Sequence, residues 1–225
     1  MLTVTEAIRR RISTREFLPR PLAKGLVQEI LDVARWAPSG GNLQPWKVIA
    51  VAGAERAAVV ELARQVHLAG GPDESNERPV YPPNLWEPYR ARRYKLGEDL
   101  YALLGIPRSD RSRRLAQFAR NYGMFGAPVG LFFIIDERMG HGQWAHLGMF
   151  MQSIALAALE RGVSSCMQEA WAALRLSLKR HFALEEHELI YCGMALGYAD
   201  ETAAVNSLRS DRAPLEEFAS LRGFS

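Results

Sequence analysis

The chain has 225 residues, of which 48% are hydrophobic and 24% charged, and its 28 basic and 25 acidic side chains give a formal charge of +3. That small surplus does not point to a nucleic-acid binder, and two isolated cysteines, Cys166 and Cys192, exclude a disulfide scaffold. The expectation is one domain over 1–225 with buried free thiols, a cytoplasmic location and no membrane partner, because neither a charged-then-apolar leader nor a membrane-length run is present.

Thr3-x-x-Glu6 reads as a capping box opening a short helix, with Val4, Ala7, Ile8 and Ile12 on its apolar side. The pattern gives way near Ser13. If the backbone there is extended, Arg11, Ser13 and Arg15 point to one side and offer two guanidiniums and a hydroxyl to a dense anion such as phosphate. Arg9 and Arg10 read as a solvated face. Pro19 and Pro21 mark a turn, and Leu22, Leu26, Ile30, Val33, Ala34 and Ala37 then recur at helical spacing, with Trp36 a candidate core residue.

Pro38 closes that helix. Gly40 and Gly41 allow close backbone approach, and Ser39, Asn42 and Gln44 supply polar contacts before the strand at 46–51. An arginine pair beside a small-residue loop suggests a bound phosphorylated cofactor. Residues 54–68 read as helix. From 70 to 88 the chain is a long loop carrying Tyr81, Asn84, Leu85 and Trp86, which either wall a substrate channel or pack on the body of the protein.

Residues 89–124 are helical with a break at Gly105-Ile106-Pro107. Their arginines, from Arg90 to Arg114, form either solvated helix faces or a funnel for an anionic substrate or the phosphates of a nicotinamide nucleotide. Val129–Ile135 reads as a central strand. Residues 144–161 form a long helix apolar around much of its circumference, suited to the core or to a dimer contact, and Gly162 ends it. A short strand to Met167, a helix from about Ala172 to His181 and a strand at Leu189–Leu196 follow. After Gly197 the chain reads as an arm crossing a surface.

Four pieces occur in order: R-x-S-x-R at Arg11–Arg15, P-S-x-x-N-x-Q-P-W at Pro38–Trp46, Ser164–Ala170, and Ala195–Tyr198 followed by Asn206 and Arg209–Leu215. Together they resemble the FMN-dependent nitroreductase family over most of the chain, with a nitrobenzoate-reductase-like branch included. The resemblance implies an α+β fold, a mixed or antiparallel sheet wrapped by helices, and a homodimer whose C-terminal arm crosses to the partner subunit.

It also implies FMN as cofactor and NADPH or NADH as donor. Arg11 and Ser13 would hold the phosphate, joined by Arg212, with Arg209 substituting where Ser210 replaces a second cation. Arg15 would sit at the N1–O2 edge of the ring. Gln168, Glu169 and Ala170 would lie near N5, and Pro38, Ser39, Gly40 and Asn42 would touch the flavin held mainly by the other subunit. Departures from the family pattern are Ile12 between Arg11 and Ser13, Ser210, and Ala170 where Gly is common. Asn84 is a candidate for a ring-edge amide found in some relatives.

No side chain is expected to act as catalytic acid or base, since the flavin carries the chemistry, and the five histidines show no metal-ligand spacing. No G-x-G-x-x-G follows a strand, so a nicotinamide nucleotide docks transiently over the flavin. The expected reaction is ping-pong reduction of an electron-poor acceptor, a nitroaromatic or an anionic one such as a nitrobenzoate. Quinone or enone reduction, dehalogenation, flavin sequestration without turnover and non-flavin anion binding are the alternatives.

Overall fold

The computed structural model describes residues 2–68 and 79–224. Part of the expected 70–88 loop lies outside them. Helices α1 (Val4–Arg10), α2 (Lys24–Ala34), α3 (Gly53–Leu68), α4 (Tyr89–Leu103), α5 (Arg111–Ala119), α6 (His141–Glu160) and α7 (Arg175–His181) surround strands β1 (Lys47–Ala52), β2 (Val129–Asp136), β3 (Ser164–Gln168) and β4 (Glu188–Gly197). The sheet is antiparallel throughout, in the order β1-β2-β4-β3. The fold is therefore α+β, with the antiparallel form of the expected sheet.

β2 is central because every residue from Val129 to Ile135 is buried, and successive side chains face opposite layers. Leu131, Phe133 and Ile135 join Ile30, Ala34, Leu147 and Ile154 of α2 and α6 in one core layer. Phe132 and Ile134 join Val59 and Ala63 of α3, together with Trp171 and Leu178, in the other. Full burial of a Leu or Ile side chain contributes about 1.5–3 kcal/mol, so these two layers supply much of the stability that fixes the sheet.

The capping box of α1 forms as expected: Glu6 N–H donates to Thr3 Oγ1 at 3.2 Å, and Thr3 N–H donates to Glu6 Oε2 at 2.7 Å. Its apolar side is not covered, however. Ala7 is buried, whereas Val4 and Ile8 are exposed. Trp36, a candidate core residue, is 81% exposed, because α2 ends at Ala34 and Trp36 lies beyond its buried stripe. The long helix begins at His141, and Gly162 ends it with φ +69, a backbone conformation that glycine adopts without a Cβ penalty. The expected helix from Ala172 is split: a short 3-10 stretch, Glu169–Leu174, precedes α7.

The register between β2 and β4 shifts after Phe133, which pairs with Cys192, because Ile134 pairs with Ile190. Tyr191 is the extra residue of this bulge. A bulge bends its strand and re-aims a side chain. Here it brings Tyr191 into the wall of the largest cavity described below. Both cysteines are free and buried, as expected.

Candidate functional site

The segment from Arg11 to Glu16 runs between α1 and the Phe17–Ala199 bridge without helical or strand pairing of its own. Thr14 N–H donates to Ser165 O at 3.0 Å and pins the segment along β3. Thr14 is buried, while Arg11, Ser13 and Arg15 together line a cavity of about 400 Å³ on the other side. The C-terminal run closes that cavity with Arg209, Ser210 and Arg212. Arg9, expected on a solvated face, is exposed and also reaches its rim.

These cations are not neutralised internally. Arg209 Nη1 donates to the carbonyls of Asn206 and Leu208, at 3.1 and 3.2 Å. Arg212 Nη1 donates to Ser210 Oγ at 2.6 Å and to the carbonyls of Ser210 and Asp211. Arg15 Nη1 donates to Ser13 O at 3.2 Å. Among the described residues, none of Arg11, Arg15, Arg209 and Arg212 has a carboxylate partner. Burial pushes the Arg11 pKa down, and repulsion from the Arg212 guanidinium pushes it further. Clustered, partly desolvated guanidiniums with no counter-charge form a site for a phosphate-sized anion.

Arg15 also lines a second cavity, of about 950 Å³. Arg15 is thus common to the walls of both, a cationic cavity of about 400 Å³ and a larger, mainly apolar chamber. Its wall includes Tyr81, Met151, Cys166, Tyr191 and the Gln168-Glu169-Ala170 segment. Dimensions and charge fit a phosphorylated ligand with a flat aromatic head, which a flavin mononucleotide is.

The Gln168 side chain does not present its amide to this chamber. Its Nε2 donates to Asn121 O at 2.8 Å, its Oε1 accepts from Trp171 Nε1 at 3.4 Å, and the residue is buried. It anchors the turn that presents the Glu169-Ala170 backbone. Glu169 stands at the rim, and partial burial raises its carboxyl pKa. The Cys166 thiol is pushed up to about 11 by burial, although Arg15 and Arg11 pull it down.

The 38–45 loop lies elsewhere on this chain. Gly40 N–H donates to His146 Nδ1 at 3.4 Å and Gln143 Nε2 donates to Gly40 O at 3.5 Å, so the loop packs on the start of α6. A Cβ on Gly40 would come within 3.2 Å of the His146 ring, which is the close approach that this glycine serves. Gln44 N–H donates to Ser39 Oγ at 2.9 Å, and Asn42 Oδ1 accepts from Gln44 Nε2 at 3.2 Å. Pro38, Gly40 and Asn42 are exposed, and no described cavity joins them to Arg11.

Several residues of the site were not singled out from sequence. Asn206, quoted above only as part of a motif, accepts from Arg15 N–H at 2.8 Å and donates to the carbonyls of Glu16 and Asp200, each at 2.8 Å. Tyr191 had one signal, a phenol inside an otherwise apolar strand. Asn84 does not line the chamber, whereas Asn121 does.

A family model described as the nitroreductase family matches residues 8–198. A 4-nitrobenzoate reductase of Pseudomonas putida is 38% identical, with 95% of this chain and 93% of that protein aligned. A nitrobenzene nitroreductase of Ectopseudomonas oleovorans is 34% identical, with 96% and 95% aligned. Among solved structures, an FMN and NADPH-dependent nitroreductase NfnB from Sphigopyxis sp. strain HMH superposes with a TM-score of 0.94 at 40% identity, covering 99% of this chain and 100% of that one. The FMN-dependent NfnB of Mycobacterium smegmatis, solved in complex with NADPH, gives 0.90 at 27% identity, with 96% of each chain covered.

Proposed function

Because the chain belongs to the nitroreductase family, we infer that it is an enzyme, an FMN-dependent oxidoreductase that uses NADPH or NADH to reduce nitroaromatic or similarly electron-poor acceptors. The observation that carries this is the uncompensated Arg11–Arg212 pair, set in a cationic cavity whose wall shares Arg15 with the larger chamber. FMN, when bound, would supply the two-electron hydride chemistry of a ping-pong cycle between the nicotinamide donor and the acceptor. For a nitro group, NAD(P)H and a proton yield NAD(P)+, water and the nitroso product.

The chain's own residues bind and orient. Arg11, Ser13, Arg209 and Arg212 hold the phosphate. Arg15 offsets negative charge where it develops on the ring, the kind of preorganised electrostatic stabilisation that needs no rearrangement during reaction. The backbone at Glu169-Ala170, steadied by Gln168, would offer N–H donors to the ring. No side chain is assigned as acid or base.

We assign the protein to a homodimer, with Pro38, Ser39, Gly40 and Asn42 reaching the partner's flavin and the C-terminal arm crossing over. The exposed apolar side chains support this: Val4, Ile8, Trp36 and Met149 on or beside the helices, and Phe218, Leu221 and Phe224 along the arm. Such patches mark interaction surfaces. Two core layers built on one sheet support a single domain. Among the described residues no helix is long and apolar enough to cross a membrane. The buried free thiols and the nicotinamide donor support a cytoplasmic location.

The test is the visible absorption spectrum of the purified protein before and after anaerobic NADH or NADPH. A flavin band that bleaches with one donor and returns with a nitroaromatic is expected. No band, even after incubation with FMN, overturns the assignment. A band that neither donor bleaches indicates a flavin-sequestering protein instead.

A further inference from the structure

On α4 itself the other cations are paired with carboxylates: Arg90 with Glu87 at 2.7 Å, Arg92 with Glu217 at 2.5 Å, and Lys95 with Asp99 at 2.7 Å and Asp211 at 2.9 Å. Arg93 differs. Its guanidinium carbon lies 4.1 Å from the centroid of the Tyr81 ring, it lines the chamber of about 950 Å³, and among the described residues no carboxylate pairs with it. Stacking on an aromatic face holds a guanidinium plane while leaving its N–H edge open, and that edge matches a carboxylate bidentately.

We propose that Arg93, held over the Tyr81 ring at the rim of the chamber, anchors an anionic substituent of the acceptor and makes the site selective for carboxylated nitroarenes over uncharged ones. This rests on the nitroreductase assignment and adds to it the substrate class and the residue that sets it. Glu169 is the carboxylate facing the same chamber. Burial raises the Tyr81 phenol pKa, the Glu169 carboxylate raises it further, and the Arg93 guanidinium lowers it.

The experiment uses the FMN-loaded protein as wild type, Arg93→Ala, Arg93→Lys and Arg90→Ala, with kcat/KM measured for 4-nitrobenzoate and for nitrobenzene. Arg93→Ala is expected to lower the nitrobenzoate-to-nitrobenzene ratio by about tenfold through KM, the size of effect given by losing one charge-assisted contact at a partly exposed site. Arg93→Lys should recover part of the ratio, and Arg90→Ala should keep it. An equal fall for both acceptors overturns the proposal, because Arg93 would then only support Tyr81. A fall confined to reduction by NADPH also overturns it and assigns Arg93 to the nucleotide's phosphates. If wild type reduces neither acceptor, the nitroreductase assignment itself fails and takes the proposal with it.

Discussion

Asn206 and Arg15 stand 191 residues apart in sequence, and the Arg15 backbone N–H donates a 2.8 Å hydrogen bond to Asn206 Oδ1. The same amide donates to the carbonyls of Glu16 and Asp200, both at 2.8 Å, so one buried side chain ties the cofactor-facing segment to the chain that leads to Arg209 and Arg212. Replacing it with leucine leaves the Arg15 N–H unpaired, at about 1–3 kcal/mol where water cannot reach it, while the Glu16 and Asp200 carbonyls still accept from the backbone N–H groups of Asp200 and Ala203.

Asn206→Leu should therefore lower the melting temperature by roughly 2–12 °C, taking about 2–4 °C per kcal/mol for a chain of this size. FMN affinity should fall with it. An unchanged melting curve by differential scanning calorimetry would show that the clamp contributes nothing.

Arg11→Ala and Arg212→Ala should each weaken FMN by about ten- to a hundredfold, since a hydrogen bond to a charged group is worth roughly 1.5–3 kcal/mol. In the FMN-free protein the effect on stability should be small or favourable, because each substitution relieves the repulsion between these two guanidiniums. Isothermal titration and apo-protein melting separate the two effects. Unchanged FMN affinity in both variants removes the pair from the phosphate site.

The buried thiols set a pH dependence. Burial raises Cys166 from 9.0 to about 11 and Cys192 from 9.0 to about 12. In the unfolded chain both ionise near 9, so the native state binds more protons between the two values and stability falls as pH rises through that window. At pH 8 both should be silent to a thiol reagent such as dithionitrobenzoate until the protein is unfolded. Cys192→Ala should lessen the loss of stability between pH 9 and 11. Rapid labelling of the folded protein at pH 8 would contradict this.

A Cβ on Gly193 would overlap the Trp171 ring. Trp171 is fully buried and packs edge-on against Tyr122 and Phe132, with centroids 5.4 and 5.1 Å away, so it has no free space to yield. Overpacking of this kind costs about 1–3 kcal/mol. Gly193→Ala should lower the melting temperature by roughly 3–10 °C. It should also weaken FMN, because Trp171 directly follows the 168–170 turn. Full retention of both would mean that the ring shifts freely.

Local chemistry determined the elements and the kind of ligand. Thr3 and Glu6 announce α1, the run Val129–Ile135 announces a central strand, Gly162 announces the end of α6, and Arg11, Ser13 and Arg15 announce an anion. Each of these is a signal of period, capping or charge carried within a few residues. Tertiary structure decided which distant residues meet. Arg209 and Arg212 reach Arg11 only along the path of the tail after β4, and Asn206 reaches Arg15 through the same route. The β4 bulge re-aims Tyr191, a register effect between strands that neither strand encodes alone. Helix α4 carries Arg90, Arg92 and Arg93 with no apolar face to orient it, so only its packing selects Arg93 for the chamber. Exposure of Trp36 and the distance of the 38–45 loop from the arginine cluster follow likewise from where α2 and α6 lie, because burial depends on neighbours that sequence spacing does not specify.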